Sequence, residues 1–197
     1  TESGACKPDT SYGQSKLKAE NGLIAASRDS SMAWTILRPP LVYGHGNKAN
    51  MDSVIKLVQS GIPLPFRCIR NRRSFIFVGN LVDAIMVTIA SPQAQGQIFL
   101  VSDGVDLSTA ELAKEIAFCL NRVCRQFFLP EIMLKICGYL GDLVQNVLKK
   151  QVIISSANVN RVLRSLYVDT THIQKTLGWK PPFTVREGFV KTLCHYS

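Results

Sequence analysis

Short apolar runs rich in β-branched and aromatic residues alternate along this chain with stretches of helical period, and that alternation restricts it to the α/β class. Trp34-Thr-Ile-Leu37, Ser74 to Val78 and Ile98 to Val101 read as strands. Arg38-Pro39-Pro40 stops the first of them, and Gly44 and Gly46 mark a loop. Between the strands the spacing predicts helices over Ser11–Ser27, Asp52–Gln59 and Leu81–Ala90. Ser108-Thr-Ala-Glu111 is a capping box that opens a helix to about Arg122. Glu131 to Lys149 reads as a long helix with an apolar face, and Ser165 to Val168 as extended chain. Thr171 to Leu177 is a short helix that Gly178 closes, with Asp169 as its expected cap, and Thr184-Val-Arg-Glu187 opens the last helix. Trp179 is expected to pack on Pro181 and that last helix.

Composition narrows the class. Apolar residues make up 46% and charged residues 19%, a balance that a disordered chain does not have. No run approaches the ~18 apolar residues of a membrane span. Thr1 to Gly13 lack the apolar stretch of a signal peptide. The six cysteines are scattered without a CxxC pair and the three histidines lie far apart, so no metal is expected. A soluble protein of the reducing cytoplasm follows as the expectation.

The net charge of +9 is uneven. Four of the five basic residues in 51–100 are Arg67, Arg70, Arg72 and Arg73. The guanidinium fork matches phosphate oxygens, so this cluster suits a phosphate-bearing partner, either a nucleic acid or a nucleotide-linked metabolite. Aromatic residues do not interleave with the arginines, which weighs against a stacking platform for nucleic acid.

Tyr12-Gly-Gln-Ser-Lys16 sets a phenol and an ammonium four residues apart, on one face of the first helix. A cation there favours the phenolate and makes the tyrosine a usable acid or base for a sugar or alcohol hydroxyl.

Four segments, in order, resemble the extended short-chain dehydrogenase/reductase family, the nucleotide-sugar epimerases and dehydratases. Pro8 to Glu20 is similar to that family's active-site helix, and Leu37-Arg-Pro39-Pro40-Leu-Val-Tyr-Gly-His-Gly46 to the strand and loop after it. Arg73-Ser-Phe-Ile-Phe-Val78 through Asp83-Ala-Ile85 resembles its arginine strand and following helix. Val168-Asp169 through Leu177-Gly-Trp-Lys-Pro181 to Glu187-Gly188 resembles its C-terminal signature. The branch most alike is that of bacterial surface-polysaccharide synthesis, with UDP-sugar 4-epimerases and 4-keto-reductases of UDP-linked 6-deoxy amino sugars.

The resemblance implies an enzyme that transfers hydride between sugar carbon 4 and NAD or NADP. Tyr12 would be its acid/base, and Lys16 would activate Tyr12 and bond the nicotinamide ribose. Pro39 and Pro40 would lie near the nicotinamide. Asn50 would touch the sugar-nucleotide phosphate unless it simply caps the helix that follows, and Arg73 would clamp the diphosphate. Arg161 and Arg164 are further arginines that no clean motif anchors, and Arg70 and Arg72 are expected to be solvated. Leu41 stands where many relatives carry asparagine. Gly79-Asn80 replaces a usual acidic pair, so no acid role is placed there.

The family's GxxGxxG turn occurs nowhere in the sequence, and the chain starts too close to Tyr12 to hold the family's catalytic Ser or Thr. The expectation is therefore the C-terminal portion of such an enzyme, inactive alone, with the dinucleotide-binding half absent and cofactor affinity weak. Its expected fold is the C-terminal part of a Rossmann-type parallel sheet (1–47 and 74–101) plus a smaller α/β substrate-binding lobe (mostly 48–73 and 102–197). The expected partners are a UDP-sugar and further copies of the chain, with no nucleic acid and no membrane. Two alternatives stand beside the epimerase: an NAD(P)H-dependent 4-keto-reductase, and a non-catalytic basic module that binds nucleic acid.

Overall fold

Local sequence sets the first helix. Thr10 caps α1 (Ser11–Ser27), its Oγ1 accepting the Gly13 amide at 3.1 Å. A Cβ on Gly13 would lie 2.8 Å from the Pro8 Cβ, so only glycine lets the incoming chain pass this close to the helix. The computed structural model describes residues 2, 4, 8, 10–28, 30–46, 50–148 and 155–194, at 50 and 146–148 by their backbone alone.

The elements after α1 are β1 (Thr35–Arg38), β2 (Leu41–Tyr43), α2 (Asn50–Gln59), β3 (Phe75–Phe77) and α3 (Val78–Ala90). A short 3-10 turn at Pro92–Ala94 leads to β4 (Gln97–Leu100), followed by α4 (Thr109–Cys119) and α5 (Glu131–Leu148). The chain ends in α6 (Ser156–Leu163), α7 (Thr171–Leu177) and α8 (Val185–Leu193). Three of these depart from the sequence reading. β2 forms directly after the proline pair, and α6 was not anticipated. α4 stops short of Arg122 because Asn121 adopts a left-handed φ of 52°, which turns the Arg122 amide back to the Ala117 carbonyl at 2.8 Å.

The chain divides into two compact units. Unit 1 comprises Thr1–Val42, Phe75–Gly104 and Val168–Thr184. Unit 2 comprises Tyr43–Ser74, Val105–Tyr167 and Val185–Ser197. In unit 1, β1 and β4 run parallel in the register Thr35↔Gln97 to Arg38↔Leu100, as α/β crossover connections require, and β2 pairs with β3. Its core gathers Ile76, Ala84, Phe99, Val101, Ile173 and Trp179.

The division differs from the one expected from sequence in one large piece. Residues 168–184 belong to unit 1, not to the expected substrate lobe, and unit 2, expected to be the smaller, is the larger of the two. The reason is apolar: Ile173 is fully buried and Trp179 is 3% exposed in the unit 1 core. The Trp179 indole donates to the Asp83 carboxylate at 2.8 Å, so its polar partner is on α3, while the last helix belongs to unit 2. Thr170, not the expected Asp169, stands at the cap position of α7 and makes no side-chain bond there; Asp169, one residue earlier, accepts the Thr171 amide at 2.9 Å, and Gly178 closes α7 with φ 65°.

In unit 2, α4 packs against α2 and α8, and α5 against α6. The capping box opens α4 as read: the Glu111 carboxylate accepts the Ser108 amide at 2.8 Å, and Ser108 Oγ accepts the Glu111 amide at 3.2 Å. Those bonds to Ser108 hold the Glu111 carboxyl below its ordinary pKa. Tyr43 is fully buried, stacks on Phe189 with ring centroids 4.6 Å apart, and donates its hydroxyl to the Val185 carbonyl at 3.3 Å.

Candidate functional site

Tyr12 sits in the first turn of α1 with 72% of its surface exposed. One turn on, the Lys16 ammonium lies over its ring, 5.6 Å from the centroid. The pair thus shares the face that the i, i+4 spacing predicts. No α1 side chain is fully buried, so packing alone holds this helix weakly. A bidentate ion pair supplies the tie: the Arg38 guanidinium donates to both Glu20 carboxylate oxygens at 2.5–3.1 Å. Both side chains are only about one-fifth exposed, and the bond fixes α1 to β1. Sequence reasoning passed over Glu20, whose only signal was its place two turns after Tyr12. Pro39 and Pro40 join β1 to β2 in the same unit, Pro39 exposed and Pro40 half-buried.

A cleft of about 600 Å³ in unit 1 is lined by Trp34, Leu37, Ile85, Thr88 and Ile89 among others. Its lining carries no ionisable side chain and so supplies no acid or base.

Arg73 and Asn50 are in unit 2. Asn50 opens α2 in the backbone, and its side chain is outside the described residues. Arg73 was expected at the edge of the strand that is β3. Its backbone is instead held on both sides before that strand begins. It exchanges two hydrogen bonds with Leu107, each 3.0 Å, while its neighbours Arg72 and Ser74 bond Leu166 at 2.9 Å. The result is a rigid base for a half-buried side chain.

The Arg73 guanidinium reaches α6, where it donates to the Arg161 carbonyl at 3.3 Å. Burial, and next to it the positive charge of Arg161, push the Arg73 pKa down. The Arg161 carbonyl thus holds the Arg73 guanidinium, and an anion beside Arg73 would offset the cost of its half-buried charge. The sequence offered no motif for Arg161 because the approach joins residues 88 positions apart.

Asn71 positions this pair. Buried at 7% exposure, it donates to the carbonyls of Val162 and Arg164 at 3.0 and 3.2 Å and accepts the Thr109 amide at 2.9 Å. The Thr109 hydroxyl also donates to the Val162 carbonyl at 2.9 Å. The last turn of α6, with Arg161, is thereby pinned to the start of α4 and to the residue two before Arg73. An asparagine inside an arginine run and a threonine inside a capping box were the only signals.

The rest of the arginine cluster separates by role. Arg72 is exposed, as expected, but pairs with Asp106 at 2.8 Å and stacks over the Tyr167 ring at 4.9 Å. Arg67 and Arg70 are exposed. Asn80, in the position read as unable to hold an acid, has a structural task. It is fully buried, donates to Asp103 at 2.7 Å and to the Phe183 carbonyl at 2.9 Å, and accepts the Phe183 amide at 2.9 Å. Among the described residues, no group of three His, Cys, Asp or Glu side chains is placed to hold a metal.

The residues present fit one end of a nicotinamide dinucleotide. The Lys16 ammonium and the Tyr12 hydroxyl are exposed donors on one helix face, the chemistry a ribose diol and a reacting hydroxyl need. The glycine-rich turn that would take the pyrophosphate is not in these 197 residues.

The model of the NAD dependent epimerase/dehydratase family matches residues 1–102. A UDP-glucose 4-epimerase of Vibrio cholerae is 45% identical over 186 residues, 94% of this chain and 53% of that protein. The N-acetyl-alpha-D-glucosaminyl-diphospho-ditrans,octacis-undecaprenol 4-epimerase of Escherichia coli O157:H7 is 26% identical over 188 residues, 94% of this chain and 56% of that protein. The chain thus spans about half the length of these curated relatives. A solved UDP-glucose 4-epimerase of Thermus thermophilus, in complex with NAD, superposes with a TM-score of 0.64 at 18% identity, over 96% of this chain and 55% of its own, and so shares its α/β Rossmann-type fold. With the tyrosine–lysine helix, the parallel β1–β4 pair and a family match over more than half its length, the chain belongs to the NAD dependent epimerase/dehydratase family.

Proposed function

We propose that this chain carries the proton-transfer pair and the diphosphate-binding arginines of a UDP-sugar 4-epimerase. The observation that carries the reading is the exposed Tyr12 with the Lys16 ammonium over its ring, on a helix locked to β1 by Glu20 and Arg38. Tyr12 as phenolate accepts the proton of a sugar hydroxyl as that carbon is oxidised, and as phenol returns it when the carbon is reduced. Lys16, one turn on along the same helix face, would hold the nicotinamide ribose beside it. NAD, or NADP, bound with its ribose on Lys16 and its nicotinamide near Pro39 and Pro40, supplies the reversible oxidation of sugar carbon 4. Because the carbon is oxidised and then reduced, epimerisation needs no outside oxidant. The names of the two relatives share a hexose linked through a diphosphate, and that group is what Arg73 and Arg161 address. Tyr12, in unit 1, is assigned the reacting sugar hydroxyl; Arg73 and Arg161, with Asn50, in unit 2, are assigned a diphosphate.

The test is interconversion of UDP-glucose and UDP-galactose by the intact protein that carries this chain, with Tyr12→Phe beside it. Removal of the hydroxyl alone should lower turnover by about 10²–10⁴-fold and leave UDP affinity unchanged. Near-normal turnover by Tyr12→Phe refutes the assignment. Stoichiometric consumption of reduced cofactor, with no interconversion, replaces the epimerase by the 4-keto-reductase.

A further inference from the structure

Helix α1 turns only one stripe away from solvent. Gly13, Leu17, Glu20, Ile24 and Ser27 are half-buried, with Leu23 at the margin, and the other α1 positions are exposed. At about 100° per residue those five fall within an arc of roughly 80°. An apolar residue is the ordinary occupant of the middle of such a stripe. Here it is the carboxylate of Glu20, which is tolerated at about one-fifth exposure because the Arg38 fork meets both of its oxygens.

The other end of this contact is fixed. Arg38 closes β1, in register with Leu100 of β4, and its carbonyl accepts the Val101 amide at 3.5 Å. Phe99 and Val101, on either side of Leu100, are fully buried. The residues directly after Arg38 are Pro39 and Pro40, the two assigned to the nicotinamide. Directly along α1 from Glu20, Lys16 and Tyr12 stand one and two turns back. The three form one row about 12 Å long that winds roughly 80° around the helix.

We propose that Glu20 and Arg38 are positioning residues that set Tyr12 against Pro39 and Pro40, and so the proton-transfer group against the nicotinamide. The inference rests on the reading of Tyr12 as the acid/base. A two-oxygen fork fixes direction as well as distance, so it resists rolling of α1 as well as sliding. With side-chain tips about 5–6 Å from the helix axis, a roll of about 10° moves a tip by about 1 Å. A misplacement of that size can lower a rate by about 10²-fold. No α1 side chain is fully buried, so packing does little to oppose such a roll once the fork is lost.

The experiment uses the intact protein that carries this chain. It pairs steady-state interconversion of UDP-glucose and UDP-galactose, well below the melting temperature, with hydrogen exchange of the 11–27 amides in the absence of substrate. Glu20→Gln keeps the shape and removes the charge. It should lower kcat by about 10–100-fold, leave KM within about twofold, and speed exchange across α1 by at least about fivefold. Arg38→Lys keeps the charge and loses the fork, should act in the same direction to a lesser degree, and keeps the test decisive if Glu20→Gln misfolds. Glu20→Arg combined with Arg38→Glu should recover most of the kcat that Glu20→Arg alone loses. Tyr12→Phe should lose turnover with α1 exchange unchanged; near-normal turnover there refutes the acid/base reading and the proposal with it. Loss in Tyr12→Phe with normal kcat in Glu20→Gln and Arg38→Lys overturns the positioning role alone. So does a lowered melting temperature or faster exchange with kcat unchanged, which would leave the pair a purely structural tie.

Discussion

Replacing Asn80 by aspartate changes one amide to an isosteric carboxylate, and the structure fixes what that costs. The Phe183 amide keeps its acceptor, so the change falls on the two bonds that Asn80 donates. The bond to the Asp103 carboxylate at 2.7 Å is charge-assisted, a type that contributes about 1.5–3 kcal/mol, and the bond to the Phe183 carbonyl at 2.9 Å about 0.5–1.5 kcal/mol. Their loss amounts to about 2–4.5 kcal/mol, before any repulsion between two carboxylates in a fully buried spot. Two such groups in hydrogen-bond contact do not both ionise, so the folded pair retains a proton that the unfolded chain releases above a pH of about 4. The folded state then binds more protons, and stability of the variant falls as pH rises through that window. At about pH 5 a shared proton restores the bond to Asp103, and the penalty shrinks to about the Phe183 bond alone. Urea unfolding followed by tryptophan fluorescence reads this directly, because both tryptophans, Trp34 and Trp179, are in unit 1 with Asn80. A loss under about 1 kcal/mol at about pH 8, or a loss equal at about pH 5 and pH 8, refutes the reasoning.

The arginine pair makes a second prediction. In calorimetric titrations of UDP, Arg73→Ala and Arg161→Ala should each weaken binding by about tenfold or more, and Arg73→Lys nearly as much as Arg73→Ala, because lysine keeps the charge and loses the fork. Arg70→Ala should leave affinity unchanged, and equal affinities for the parent and Arg73→Ala would remove the diphosphate from this site. A third concerns Gly138, where alanine would bring a Cβ to 2.9 Å from the Ser156 Cα and 3.2 Å from its amide nitrogen. Backbone atoms cannot swing aside, so Gly138→Ala should cost about 1–3 kcal/mol by thermal melting and, by displacing α6 with Arg161, lower UDP affinity, whereas an unchanged melting temperature would show that α5 and α6 separate freely.

Whatever depended on near neighbours was legible in the sequence. Thr10 caps α1, Ser108 and Glu111 close a capping box, Gly178 closes α7, and the apolar runs at 34–37, 74–78 and 98–101 become β1, β3 and β4 within a residue or so. Each is decided within a turn of helix or by one strand's own composition. The Tyr12–Lys16 pair was legible for the same reason, since four residues on a helix determine a shared face. What the sequence did not show rests on residues brought together from far apart. The approach of Arg73 to α6 spans 88 positions, the Asn71 bond to Arg164 spans 93, and the Asn80 bond to Phe183 spans 103. Residues 168–184 join unit 1 because Ile173 and Trp179 fill a core built mainly from residues 76–101. The periodicity of Glu131 to Lys149 announced an apolar face, yet only the packing of α6 on Gly138 decided which side is buried and left Ile136 and Leu140 in the open. Long-range burial and hydrogen bonding select among contacts that local propensity leaves equal, and that selection belongs to the tertiary structure.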